Sequence, residues 1–202
     1  LEDGYPAEAL IMYLLTIANS NFEEWILANK FEHMEDFKLS FEKISSEGAL
    51  FDMGKVNFFS REILAKKNKH EIYDMCKTYA TKFNPELLKL IEYNPTYFTE
   101  IMNIEREKEN PRKDYEKFGN LAELIGFFYP ENYAKIIAEP LPFNEKFTRE
   151  VIIETLTALK DKLGLDQDEQ AWFANMKEIA NELGFAIDRK AFKADPTAFK
   201  GQ

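Results

Sequence analysis

Cys76 is the only cysteine, so no disulfide can close within the chain, and a reducing compartment, the cytoplasm, is the expected setting. Glycine is scarce: 8 residues in 202, too scattered to write either Gly-x-Gly-x-x-Gly or the Walker pattern, which removes a phosphate loop of either kind. His33 and His70 stand at no metal-ligand spacing from each other or from Cys76, so no metal site is expected. The longest apolar run, Ala9 to Ala18, includes Thr16 and falls short of the roughly 18 residues a membrane span requires. No basic-then-apolar leader is visible, so no export signal is expected. No segment alternates apolar and polar residues over several strands, which argues against sheet.

The chain is rich in large apolar side chains and carboxylates. Apolar residues make up 45%, with 18 Phe and 9 Tyr to fill a core. Asp and Glu outnumber Lys and Arg by 36 to 26, a net charge of −10. That sum opposes general binding to a phosphate backbone, where affinity comes from cations displacing counterions. DNA is therefore not an expected partner. RNA binding requires the cations to gather on one face. Two stretches offer them: Lys66-Lys67-Asn68-Lys69-His70, and Arg106 to Lys117, which carries five cations interleaved with acids.

Periodicity and capping residues give an all-α reading. Pro6 opens a helix with Leu10, Tyr13, Leu14 and Ile17 on one face. Asn19-Ser20-Asn21 interrupts it before a short helix with Phe22, Trp25 and Ile26. Asp52 caps a helix burying Val56, Phe59 and Ile63. Asn68 with Glu71 forms a capping box ahead of Ile72, Met75, Cys76, Tyr79 and Phe83. Asn84-Pro85 and Asn94-Pro95 each read as cap plus first-turn proline, introducing Leu87, Leu88 and Ile91, then Tyr97, Phe98, Ile101 and Met102. A polar loop spans Glu105 to Asp114. Leu121 to Tyr129 is helix ended by Pro130, and Tyr133 to Ala138 is another. Glu139-Pro140-Leu141-Pro142-Phe143 is a linker, because its prolines exclude helix. Beyond it come an amphipathic helix with Val151, Ile152, Thr155, Leu156 and Leu159, then one capped by Asp166. The latter turns Trp172, Phe173, Met176, Ile179, Ala180 and Leu183 inward and stops at Gly184. The tail after Asp188 reads as short and polar.

Gly4-Tyr5-Pro6-Ala7-Glu8-Ala9, Lys43-Ile44-Ser45, Ala49, Phe51-Asp52 and Lys55-Val56 stand together at spacings that resemble the region following the catalytic domain of bacterial glutamyl-tRNA synthetases. Asn110-Pro111-Arg112-Lys113-Asp114 fits the same family, as does Ala171-Trp172-Phe173 running to Glu182-Leu183-Gly184-Phe185. The likeness runs along nearly the whole chain. It implies an all-α array: a stem-contact region over 1–60, a first helical anticodon-binding domain over 61–142 and a second, incomplete one over 143–202. Leu at position 1 and the early end relative to the family's pattern both suggest a piece of a longer protein. Lower stability of 147–202 than of the middle domain follows as an expectation.

The resemblance implies a tRNA-binding role within an enzyme that joins glutamate to tRNA(Glu) using ATP with Mg. In some members an arginine of a Pro-Arg-x-Asp-like segment distinguishes the last anticodon base. Arg112 is the matching candidate, with Arg106 its competitor, and Lys113 and Lys117 as phosphate or neighbouring-base contacts. Lys43, Ser45 and Lys55 match the stem-contact positions. Lys43-Ile44-Ser45-Ser46 looks like the Lys-Met-Ser-Lys-Ser loop of ATP activation, but its second lysine is missing and its place in the family differs. His-Ile-Gly-His is absent too. No catalytic residue and no cofactor are therefore expected in this chain, which should be a monomer inactive alone, with tRNA(Glu) as partner and no membrane contact. The competing reading is an acidic helical protein-interaction module without RNA binding.

Overall fold

The computed structural model describes residues 2–44, 50–140, 143 and 147–194. Among them are eleven α-helices and no strand; one isolated antiparallel bridge joins Asn19 and Ile44. The chain divides into two compact units, 1–139 and 140–202.

The first unit holds α1 (Ala7–Ala18), α2 (Phe22–Ala28), α3 (Met53–Lys66), α4 (Lys69–Phe83), α5 (Pro85–Tyr93), α6 (Pro95–Asn103), α7 (Leu121–Ile125) and α8 (Pro130–Ala138). Their starts follow local chemistry. The Asp52 carboxylate accepts from the Lys55 amide at 3.2 Å. Asn68 and Glu71 close a reciprocal capping box. Asn84 and Asn94 cap α5 and α6, each with proline as the first helical residue. Proline suits that position because its missing N–H would have had no partner there.

Two apolar clusters fill this unit. One gathers Ala9, Met12 and Tyr13 of α1, Phe22 and Ile26 of α2, and Val56, Phe59 and Ile63 of α3. The other gathers Leu64 with the inner faces of α4 to α7, plus Tyr115, Phe118 and Tyr129. Residue 60, where the sequence pattern divides the chain, lies inside α3. That helix sends Ile63 to one cluster and Leu64 to the other. Backbone stitches add to the join. The amides of Phe118 and Gly119 donate to Gly4 and Asp3 carbonyls at 3.1 Å each, and the Tyr79 hydroxyl donates to the Glu2 carbonyl at 2.7 Å. Gly4 has φ +83°, and a Cβ there would sit 2.9 Å from the Phe118 nitrogen, so this crossing requires glycine.

Several expectations are corrected. α1 buries Ala9, Met12 and Tyr13, whereas Leu14 is 60% exposed and Leu10 and Ile17 only half-buried. The helix is apolar on more than one side, so periodicity leaves its inward face undecided; packing against α3 chooses the side where Ala9 permits close approach. Phe83, which the helical period turns inward, is exposed. α7 ends at Ile125 and gives way to a 3₁₀ turn over Gly126–Phe128. Pro130 opens α8 as well as closing what precedes it, so that helix begins three residues before Tyr133. Of the expected linker, residues 141 and 142 lie outside the described residues.

The second unit contains α9 (Arg149–Lys162), α10 (Glu169–Glu182) and α11 (Arg189–Ala194). α10 is capped by Asp168, whose carboxylate accepts from the Ala171 amide at 2.8 Å, not by Asp166. Asp166 lies too early in the chain to reach an N3 amide. Gly184 stops α10 at φ +75°, with the Phe185 amide bonded back to the Ala180 carbonyl. The tail is not merely polar: Asp188 caps α11 through the Ala191 amide. Ile179 is the one buried residue described in this unit; Trp172 and Phe173, on the same apolar stripe, are exposed.

Candidate nucleic-acid interface

Between the end of α6 and the start of α7 the chain forms no helix over residues 104–120. Pro111 and the left-handed backbone of Glu105 (φ +56°) break helical continuation, while Tyr115 and Phe118 are buried and anchor the far end. This loop carries four of the sequence candidates, and the structure treats each differently.

Arg106 turns inward. Its Nε donates to the Met102 carbonyl at 2.8 Å, one terminal nitrogen donates to the carbonyls of Leu64 and Lys67 at 2.7 and 2.9 Å, and the other donates to the Tyr115 hydroxyl oxygen at 2.8 Å. Leu64 and Met102 lie in the last turns of α3 and α6, where carbonyls lack the amide four residues on that serves the helix interior; the Leu64 carbonyl also accepts from the Lys67 amide at 3.3 Å. The guanidinium satisfies both ends, and its positive charge suits the negative ends of two helix dipoles. Burial pushes the Tyr115 hydroxyl well above the usual tyrosine range, with Arg106 pulling the other way. Tyr115 therefore stays protonated and neutral.

Arg112 points outward, its side chain 53% exposed. Its Nε lies 2.8 Å from the Asp114 carboxylate and 3.8 Å from that of Glu105. Glu105 is held below the usual carboxylate range by its hydrogen bond from Lys108. Lys113 reaches across to Glu62 of α3 at 2.6 Å. The Lys117 ammonium lies 5.7 Å from the Tyr5 ring centre, a cation–π contact. Burial, Glu116 and Asp3 raise the Tyr5 hydroxyl above its ordinary value.

A cavity of about 310 Å³ opens beside this loop. Arg106, Arg112, Asp114 and Tyr115 supply its polar groups; Met102, Ile104, Leu124 and Phe127 are among its apolar walls. Ile104, Leu124 and Phe127 are exposed, so the apolar wall faces solvent. Lys113 and Lys117 do not line it. The structure thus brings Arg106 and Arg112 to one place and leaves the two lysines elsewhere on the loop. Nothing in the sequence marks Leu124 or Phe127 as more than helix-face residues, because cavity walls arise from elements distant in order.

Known proteins resemble this loop and the rest of the chain together. The glutamate–tRNA ligase of Clostridium perfringens strain 13 is 34% identical over 200 residues, 99% of this chain. That of Clostridium beijerinckii is 35% identical over 201 residues, and that of Sorangium cellulosum 32% over 200, each again 99% of this chain. The resemblance is to glutamate–tRNA ligases, end to end. This chain spans 35 to 37% of the length of these ligases. No family model and no solved structure matches it.

The remaining ligase-like positions lie in the first unit. Lys55 bonds Glu23 at 2.7 Å, joining α3 to α2. Lys43 has an exposed side chain, and its carbonyl accepts from the Ser20 amide at 3.3 Å. Ser45 lies outside the described residues. The buried Asn19 holds this segment against the end of α1: its side-chain amide donates to the Ser40 carbonyl at 2.9 Å. The basic run at 66–70 is dispersed by pairing: Lys66 with Glu32, Lys67 with Glu8 and Lys69 with Glu100. Cys76 is fully buried and its thiol pushed up by desolvation, which suits packing and not nucleophilic attack. Among the described residues no cluster of His, Cys, Asp or Glu is arranged to hold a metal, and no helix is long and apolar enough to cross a membrane.

Proposed function

We propose that this chain is a tRNA-gripping part of a glutamate–tRNA ligase, with tRNA(Glu) as its partner and the ATP- and Mg-dependent ligation carried out by the complete enzyme. The observation that carries the proposal is the match to glutamate–tRNA ligases over 99% of the chain. In this reading residues 1–60 meet the tRNA stem through Lys43, Ser45 and Lys55. Residues 61–142 and 143–202 hold the anticodon loop. Arg112 reads a base, aided by Lys113 and Lys117.

The cavity beside Arg112 supports the choice of reader. Unpaired bases are recognised by stacking on their faces and hydrogen bonding at their edges. Apolar walls suit the faces, and a planar guanidinium fork suits an edge. The Asp114 partner is no obstacle, since exposed ion pairs contribute only about 0–1 kcal/mol and exchange readily. Arg106 is a poor reader by the same reasoning, because its donors already serve four internal acceptors.

Titration with tRNA(Glu) at low and moderate salt tests the proposal. Binding should weaken as salt rises, and Arg112→Ala should cost about 1–3 kcal/mol, roughly 5- to 150-fold. Absent binding, or an affinity indifferent to that substitution, refutes the assignment. The rival, a protein-interaction module, has one observation in its favour: Phe41 is 84% and Leu50 95% exposed. Such side chains suit a protein surface better than a phosphate backbone, and the same titration separates the two readings.

A further inference from the structure

Arg106 and Tyr115 stand at the two ends of the segment that carries Arg112 and Lys113. Their bond, at 2.8 Å, closes the base of that segment, and residues 107–114 bow out between them. The same guanidinium fixes this base to the ends of α3 and α6 through three carbonyls. Tyr115 is buried against the second cluster, so its ring cannot follow a displaced loop. Exposed side-chain contacts add to this: the Asn103 side-chain amide donates to Glu107 at 3.2 Å, Lys113 reaches Glu62, and Arg112 reaches Asp114 and Glu105 within its own loop.

We infer that Arg106 is a positioning residue for Arg112: its fork locks the base of the 107–114 loop, so that the Arg112 guanidinium is presented at the mouth of the cavity before RNA arrives. The inference rests on the tRNA-binding reading above. Its physical content is entropic. A loop without helix samples many backbone states, and holding it in one beforehand removes that cost from the binding step. The guanidinium does this where an ammonium cannot, because planar donors in fixed directions meet four acceptors from three elements at once.

A double-mutant cycle on the 202-residue chain tests it, with tRNA(Glu) and a variant altered at the last anticodon base as the two ligands. In the unaltered chain Arg112→Ala should weaken tRNA(Glu) binding by roughly 5- to 150-fold and erase discrimination between the ligands. Arg106→Lys keeps the charge, so a merely electrostatic role predicts little change. Positioning predicts a comparable loss of affinity and of discrimination. Arg112→Ala added to Arg106→Lys should then cost less than about two-fold more, because the two groups act as one. Tyr115→Phe keeps the buried ring and removes one acceptor; it should shift both readouts in the same direction, and it serves if Arg106→Lys does not fold. Additive losses, or a Tyr115→Phe chain with unaltered discrimination, overturn the inference while leaving the tRNA-binding reading standing. Failure of the unaltered chain to bind tRNA(Glu), or to respond to Arg112→Ala, refutes both.

Discussion

The two Asn-Pro caps are alike in sequence and unlike in structure, which allows a controlled test. Asn84 and Asn94 each accept a hydrogen bond from the amide three residues on, Leu87 at 2.9 Å and Tyr97 at 3.0 Å. Asn84 also donates its side-chain amide to the Gly119 carbonyl at 3.1 Å, in a part-buried setting. Replacing a capping Asn with Ala costs about 1 kcal/mol. A net intramolecular hydrogen bond adds about 1 kcal/mol, and Gly119 would lose its partner as well. Asn94→Ala should therefore destabilise the first unit by about 1 kcal/mol and Asn84→Ala by about 2 kcal/mol. At about 4 °C per kcal/mol for a unit of this size, the melting shifts are about 4 and 8 °C. With Trp172 replaced by Phe, the fluorescence of Trp25, which packs on the first cluster, reports unfolding of this unit alone. Equal shifts, or a larger one for Asn94→Ala, would show that the bond to Gly119 contributes nothing.

Two further expectations use the same assay. Tyr129 is buried between Tyr93 and Tyr97 with no hydrogen-bond partner for its hydroxyl, and its pKa is pushed up to about 12, chiefly by desolvation. Folding favours the protonated form, so this contribution is whole below pH ~10, the ordinary tyrosine value, and fades as pH climbs toward the folded value. Tyr129→Phe should flatten that alkaline decline and leave neutral-pH stability unchanged or raised by about 1 kcal/mol; a loss of about 2 kcal/mol or more would expose a missed partner. Gly119→Ala would place a Cβ 2.6 Å from the Asp3 carbonyl oxygen, whereas at Gly126 the nearest atom is a side-chain nitrogen at 3.4 Å. The first should cost about 1–3 kcal/mol and the second less than about 1 kcal/mol, and matching melting points would refute the close crossing.

Many capping residues are legible in the sequence, because one side chain and the next three residues complete the structure; at α10 two nearby aspartates leave the choice open, and Asp168 takes it. Asp52, Asn68 with Glu71, Asn84 and Asn94 are of this kind. Sequence and structure part where the outcome depends on a partner. α1 presents apolar residues around much of its circumference, and α3 selects Ala9, Met12 and Tyr13 for burial. Trp172 and Phe173 follow a good helical stripe, yet burial requires another surface and not merely a period. At the candidate interface the segment Pro111 to Asp114 is visible as a pattern, and Arg112 stands exposed there. The inward role of Arg106 has no local signature, since its acceptors include carbonyls at positions 64 and 67.

The order of residues alone settled that the chain is helical, where most helices begin, and which ligase family it resembles. Those properties follow from short-range hydrogen bonding, side-chain period and motif spacing. Which of two neighbouring arginines turns inward and which stays exposed was settled only when α3, α6 and Tyr115 converged. The direction of a long, charged side chain is set by the acceptors that reach it, and here two of the four, at positions 64 and 67, belong to a distant stretch of chain.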